Sequence, residues 1–121
     1  MQLAWALLTG LAWSRARRSG NEASKYLRFA HVGPLMQAPI LLGIAVALSV
    51  SGLSRTLNTF TAAIWVASAT LLTGKDTLNW AMGVEDEFRT RPPGFYVGAV
   101  SVVAYVVALI LTVTAVMTGL A

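Results

Sequence analysis

Cysteine is absent from this chain of 121 residues, and histidine occurs once, at His31. Without cysteine the chain can form no disulfide, no thiolate metal site, no iron–sulfur ligation and no cysteine nucleophile. One histidine leaves little from which to build a nucleophilic triad or a zinc site, and no glycine-rich phosphate-binding loop is present. The sequence therefore argues against nucleophilic and metal-assisted catalysis.

Charged residues are also scarce, at 12% of the chain against 56% hydrophobic residues. None of the carboxylates lies in the middle of an apolar stretch; they are Glu22, Asp76, Glu85, Asp86 and Glu87. Transporters coupled to protons or sodium normally need such an ionisable group inside the bilayer. We therefore expect no coupled transporter. The net charge of +4 arises from loop residues, so we also expect no nucleic-acid partner.

Three long apolar stretches dominate what remains, roughly at residues 29–54, 56–74 and 95–121. A helix needs about 20 apolar residues to cross a hydrocarbon core of about 30 Å. Each stretch therefore predicts a transmembrane helix. The fold predicted for residues 1–121 is an all-α integral membrane protein that forms a single polytopic domain.

Residues 1–14 form a shorter apolar segment, which would rise about 21 Å as a helix. It lacks the basic region that precedes the apolar part of a secretory signal, and basic residues follow it instead, at Arg15, Arg17 and Arg18. We therefore expect no cleaved signal peptide here. The segment predicts a short fourth apolar helix, either spanning the membrane or lying at its surface.

The stretch from Ser19 to Val32 has a helical pattern of its own. Ser19 and Glu22 fit the spacing of a capping box, and polar residues then recur at helical intervals. Gly33 and Pro34 follow, and both residue types commonly end or begin helices. The pattern predicts a separate amphipathic helix near 19–32, at the membrane interface.

Basic residues divide unevenly between the loops. If the apolar segments alternate across the bilayer, eight basic residues lie on one side and only Arg55 lies on the other. The excess of arginine over lysine is typical of GC-rich bacterial coding sequences. We therefore expect a multi-pass protein of the bacterial inner membrane, with loops 15–33 and 75–94 cytoplasmic and the C-terminus outside.

Small residues recur every four positions within the apolar stretches. Such ridges let helix backbones approach closely in lipid, where no hydrophobic force drives helices together. The predicted helix-packing residues are Gly43, Ala47 and Ser51 in the first stretch, Thr59, Ala63 and Ala67 in the second, and Ala104, Ala108 and Thr112 in the third.

A second group of residues lies near the predicted cytoplasmic boundary, namely Tyr26, Arg28, His31 and Trp80. Polar and aromatic groups of these types can line a rim for a quinone, a lipid head group or a haem, but they also collect at any membrane interface. A bis-histidine haem would need a histidine from another chain. We expect bound phospholipid and no other cofactor, with haem or quinone as the less favoured alternative.

The favoured hypothesis is a small non-catalytic accessory subunit of a multisubunit inner-membrane complex, respiratory or otherwise electron-transferring, with other membrane subunits and the bilayer as partners. One alternative is a homo-oligomeric channel or carrier, lined by Ser49, Thr59, Ser68, Thr70 or Thr112.

Another alternative is a small membrane enzyme that acts on lipid or glutathione at the cytoplasmic rim, through Arg17, Arg18, Asn21, Glu22 and Tyr26. Residues 17–22 resemble the Arg, Asn and Glu cluster of small four-helix glutathione-handling membrane enzymes. In this chain Asn21 and Glu22 are adjacent, which departs from the spacing of that family, so we do not assign the chain to it.

Overall fold

The computed structural model describes residues 1–20, 24–85 and 89–121, and these residues contain four α-helices and no strand. Helix α1 covers Gln2–Arg18, α2 covers Lys25–Ser49, α3 covers Arg55–Ala81 and α4 covers Pro93–Leu120. The predicted all-α class is confirmed for the described part of the chain.

Helices α2, α3 and α4 are long and apolar enough to cross a membrane. They contain 25, 27 and 28 residues, so each is about 38–42 Å long. This agrees with the three predicted spans and is compatible with a multi-pass membrane protein.

Helix α1 contains 17 residues and is not among the helices that could cross a membrane. Near its start, the side chain of Gln2 accepts a hydrogen bond from the Thr73 hydroxyl at 3.0 Å. Thr73 lies close to the end of α3 at Ala81, and α1 runs from there towards the start of α2. An N-terminal helix forms, but the predicted fourth apolar helix is not supported, because α1 lies along only one half of the bundle.

The separate amphipathic helix predicted near residues 19–32 is also wrong. Residues from Lys25 onward are the first turns of α2, which continues through Pro34 and Pro39. Ser24 caps this helix, since its hydroxyl oxygen accepts a hydrogen bond from the backbone N–H of Tyr26 at 3.3 Å. The predicted capping residue Glu22 lies outside the described residues.

Helix α2 tolerates Pro34 because α1 supplies a replacement donor. A proline at position 34 has no N–H to donate to the carbonyl of Ala30. The Thr9 hydroxyl of α1 lies 3.2 Å from that carbonyl oxygen, and it shares its proton with the carbonyl of Trp5 at 2.8 Å. Neighbouring helices satisfy freed backbone groups in membrane proteins in this way.

Helix α3 extends past the end of the predicted apolar stretch. The apolar stretch ends near residue 74, but the helix continues to Ala81, so the first part of the predicted loop 75–94 is helical. Lys75 and Asp76 lie within it, with Lys75 Nζ 2.9 Å from Asp76 Oδ1. Asp76 is 7% exposed, so a residue expected at the membrane boundary is buried inside the bundle.

Helices α3 and α4 are joined by hydrogen bonds along their contact. The indole N–H of Trp65 donates to the Thr112 hydroxyl at 2.8 Å, and the Ser101 hydroxyl donates to the carbonyl of Ser68 at 2.9 Å. The ring of Tyr105 lies edge-on to that of Trp65, with centroids 4.4 Å apart. Side-chain hydrogen bonds of this kind hold helices together in lipid.

Each helix packs on the helix before it in the sequence, and α2 also touches α4. Near the α2–α3 turn, the backbone N–H of Gly52 donates to the carbonyl of Ala115 at 3.0 Å.

The end of the bundle opposite the α2–α3 turn contains Lys25, Ala81 and Pro93, and we call it the basic end. The basic residues of this end are Arg15, Arg17, Arg18, Lys25, Arg28, Lys75, Arg89 and Arg91, whereas Arg55 begins α3 at the other end.

Candidate functional site

The four predicted rim residues lie towards the basic end but in different environments. Tyr26 is buried at 3% exposure, Arg28 is exposed, and His31 and Trp80 are half-buried. None of the four lines the cavities described below. Of the residues proposed for an enzyme at this rim, Arg17 and Arg18 are exposed, and Asn21 and Glu22 lie outside the described residues.

His31 packs against α1. Its Nδ1 lies 2.8 Å from the carbonyl oxygen of Ala6, and because a carbonyl only accepts, Nδ1 must carry the proton. The ring lies against Gly10, where an added Cβ would be 2.7 Å from His31 Cε1. The Trp13 ring is 5.7 Å away, centroid to centroid, and the guanidinium of Arg17 lies 5.4 Å from the Trp13 centroid. The packing of His31 against α1 was not predicted from the sequence. The small residue Gly10 was the sequence feature that could have indicated it.

Three polar side chains are buried between the helices, and sequence reasoning did not anticipate their burial. Asp76 and Asn79 lie near the basic end, and Gln37 lies midway along α2. Gln37 and Asp76 are each 7% exposed and Asn79 is fully buried. Within the described part of the chain, neither amide atom of Asn79 has a hydrogen-bond partner, and Oε1 of Gln37 has none. A buried polar group left unpaired costs about 1–3 kcal/mol. The helical spacing of Thr73, Asp76 and Asn79 was the signal in the sequence.

Asn79 lies against the first turn of α4. A Cβ added at Gly94 would overlap the side-chain amide of Asn79, so the two helices approach closely only because Gly94 has no side chain. Both residues are buried. This contact fixes the spacing of α3 and α4 at the basic end.

The predicted helix-packing residues divide into two groups. Ala108 is fully buried inside the chain, and Ala104, Ala47 and Ser51 are half-buried. By contrast, Gly43, Ala63 and Ala67 are exposed. A Cβ at Gly43 would meet no atom within 4 Å. The chain's own helices therefore use the ridge of α4 and leave these residues of α2 and α3 uncovered.

Small residues continue along the uncovered side of α3 for the whole length of the helix. They recur every three or four positions, and all are exposed or half-buried: Thr59, Ala63, Ala67, Thr70, Gly74, Thr77 and Ala81. We call this surface the outer face of α3. Sequence reasoning found only its first three residues, because hydropathy falls at Lys75 and the predicted span stopped there.

A groove lies beside the outer face of α3, between α3 and the first turns of α1. Its volume is about 460 Å³, and Trp5 and Leu8 form its α1 side while Thr70, Gly74 and Leu78 form its α3 side. The indole N–H of Trp5 donates to the Thr77 hydroxyl at 3.1 Å. The groove is almost entirely apolar, so it suits a hydrocarbon chain or a packed helix better than a polar substrate.

Within residues 1–20, 24–85 and 89–121, no three His, Cys, Asp or Glu side chains are placed to hold a metal ion together. No family model, curated protein or solved structure matches this chain.

Proposed function

We propose that this chain is a small non-catalytic accessory subunit of a larger complex in the bacterial inner membrane. The observation that supports the proposal is the outer face of α3, where small residues recur along the whole helix. Thr59, Ala63 and Ala67 are exposed, whereas α1 reaches the face near Thr77. We propose that a transmembrane helix of another subunit packs on this face.

Small residues on a membrane helix favour association only when another helix lies against them. Lipid tails are as apolar as helix surfaces, so association depends on close van der Waals contact between backbones. The opposite side of α3 already makes such contacts with α4, through Trp65 and Ser68. A partner helix on the outer face would give α3 close packing on both sides.

The hydroxyl groups of the outer face support packing rather than a water-filled pore. Thr59, Thr70 and Thr77 donate to carbonyls of their own helix, at 3.0, 2.8 and 2.9 Å respectively. Their donor capacity is thus satisfied within α3, and the face needs no water to complete it. This favours a subunit over a homo-oligomeric channel lined by the same residues.

The proposed orientation follows the distribution of basic residues. The basic end faces the cytoplasm and the C-terminus lies outside, as the positive-inside rule requires. We propose a respiratory or related electron-transfer complex as the host, because such complexes carry small helical subunits of this kind.

Native gel electrophoresis after extraction in a mild detergent tests the proposal. We expect the wild-type chain to migrate with a much larger complex, and Ala67→Leu or Ala63→Leu to migrate as the free subunit, because added bulk prevents close approach. Ala45→Leu is the control, since Ala45 is exposed on α2, away from the outer face of α3. A wild-type homotrimer would favour the membrane enzyme instead, and a larger homo-oligomer would favour the channel.

A further inference from the structure

A crevice runs between α3 and α4 from the basic end into the middle of the bundle. It consists of two adjoining cavities of about 450 and 360 Å³, which share Leu72 and Val102 as lining residues. The outer cavity also contains Lys75, Phe95, Gly98 and Ala99, and the inner cavity contains Gln37, Ser101, Tyr105 and Val106. Along α4 the crevice extends from Phe95 to Val106, which is about 16 Å.

The mouth of the crevice favours a negative charge. Lys75 lines it, and the guanidinium of Arg91 lies 5.8 Å from the centroid of the Phe95 ring. The buried carboxylate of Asp76 pairs with Lys75 and balances its charge, so the positive charge of the mouth comes mainly from Arg91. Helix α4 begins at Pro93, so the positive end of its dipole is also at the mouth.

Arg91 is held in an unusual backbone conformation at this mouth. Its φ is +48°, in the left-handed region that few non-glycine residues occupy. The next two residues are prolines, and α4 starts at the second of them. The turn thus places the guanidinium beside Phe95 at the entrance to the crevice.

Below its mouth the crevice is mostly apolar. The aliphatic side chains of Leu72, Val102 and Val106 form much of its wall, and the hydroxyl of Ser101 is already donated to the carbonyl of Ser68. Gln37 adds one buried amide, whose Oε1 atom has no partner. An apolar channel with one amide and a cationic mouth matches an amphiphile that has an anionic head and a hydrocarbon chain.

We propose that this crevice binds an anionic phospholipid, with one acyl chain along α4 and the phosphate on Arg91 and Lys75. The guanidinium fork suits bidentate contact with phosphate oxygens, and Lys75, whose charge is balanced by Asp76, adds an N–H donor. The site goes beyond the proposed subunit role, since it requires no partner protein.

Native mass spectrometry of the full chain tests the head-group contacts, with phosphatidylglycerol and phosphatidylcholine of identical acyl chains as probes. We expect wild type to retain phosphatidylglycerol preferentially. Arg91→Gln should weaken that binding about fivefold and abolish the preference, because one cationic contact is lost. Arg89→Gln is the matched control at an exposed arginine of the same loop. Equal binding of both lipids to wild type, or equal effects of the two substitutions, would overturn the proposal.

A second pair of variants tests the chain-binding part of the crevice. Val102→Trp and Val106→Trp should each reduce retention of both lipids at least fivefold, because the indole fills the space of the acyl chain. Val103→Trp is the control, since Val103 is also exposed but does not line the crevice. Undiminished retention in both crevice variants would refute the assignment.

Oleate is the final probe. If the wild-type chain bound oleate in preference to phosphatidylglycerol, the ligand would be a free fatty acid and the phospholipid assignment would be wrong.

Discussion

Two residues without side chains, Gly10 and Gly94, lie where a polar side chain of a neighbouring helix crosses the backbone. Gly10 of α1 accommodates the imidazole of His31, and Gly94 of α4 accommodates the amide of Asn79. At both places a methyl group would occupy space that the polar side chain now fills. The two glycines therefore set the distances of α1 from α2 and of α3 from α4.

Gly10→Ala should loosen the docking of α1 by about 1–3 kcal/mol, because the new Cβ is forced against His31. The measurement is the rate at which maleimide modifies a cysteine introduced at Ala6, a buried residue of α1. The chain contains no other cysteine, so the signal is specific. Gly33→Ala is the control, because a Cβ at Gly33 meets no atom within 4 Å. An unchanged rate in Gly10→Ala would contradict the packing described for His31.

Gly94→Ala should destabilise the bundle by about 1–3 kcal/mol, since its Cβ overlaps the Asn79 amide. Adding Asn79→Ala should recover much of that loss, because it removes both the overlap and an unpaired buried amide. The measurement is thermal unfolding in detergent for the two single variants and the double variant. We expect a coupling energy of about 0.5–3 kcal/mol, and additive effects would show that the two residues do not meet.

At the scale of helices, the docking of α1 depends on a backbone hydrogen bond that is missing in α2. Pro34 leaves the carbonyl of Ala30 without its donor from the helix, and the hydroxyl of Thr9 takes that place. Trp5 and Gln2 add hydrogen bonds to Thr77 and Thr73 of α3. Polar contacts thus help to attach this short helix to the bundle.

Thr9→Val should weaken α1 docking by about 0.5–1.5 kcal/mol, the net contribution of one hydrogen bond. In a Pro34→Ala background the same substitution should have a smaller effect, because the restored N–H of residue 34 can donate to Ala30. Maleimide modification at Ala6→Cys reports both effects. Equal losses in the two backgrounds would mean that Thr9 acts only through its own helix, where it also contacts the carbonyl of Trp5.

The helices show which parts of the fold could be predicted from the sequence. Hydropathy predicts the three long helices, because their length and apolar composition are local properties. The break predicted at Pro34 is wrong because the compensating donor, Thr9, lies on another helix. The apolar stretch ends near residue 74 because hydropathy falls at Lys75, but the helix continues to Ala81 and buries Asp76. The burial of Asp76, like the donor for Ala30, depends on packing between helices.

The candidate sites were less accessible to sequence reasoning than the helices. The rim residues share a predicted depth in the membrane, but Tyr26 is buried whereas Arg28 is exposed. The crevice between α3 and α4 depends on which faces two helices turn towards each other, and periodicity alone does not specify this. The residues that line the crevice can therefore be identified only from the folded structure.

For the molecule as a whole, the docked position of α1 predicts on which side of the membrane the N-terminus lies. Because α1 does not reach the far end of the bundle, we expect a tag placed before Met1 to lie on the same side as Glu85, and Ala121 to lie on the opposite side. Labelling of single cysteines at Glu85 and Ala121 with an impermeant maleimide, together with protease access to the tag, measures this. A tag on the same side as Ala121 would make α1 a fourth span and refute its placement.

The packing of each helix on the one before it has a consequence for biogenesis. A chain leaving the ribosome can add α2 to α1, then α3 to α2, then α4 to α3, without waiting for a distant segment. Contacts between helices that are not consecutive must form later. One of them is the hydrogen bond from Gly52 to the carbonyl of Ala115, which joins the α2–α3 turn to the end of α4 and can form only after Ala115 has been synthesised.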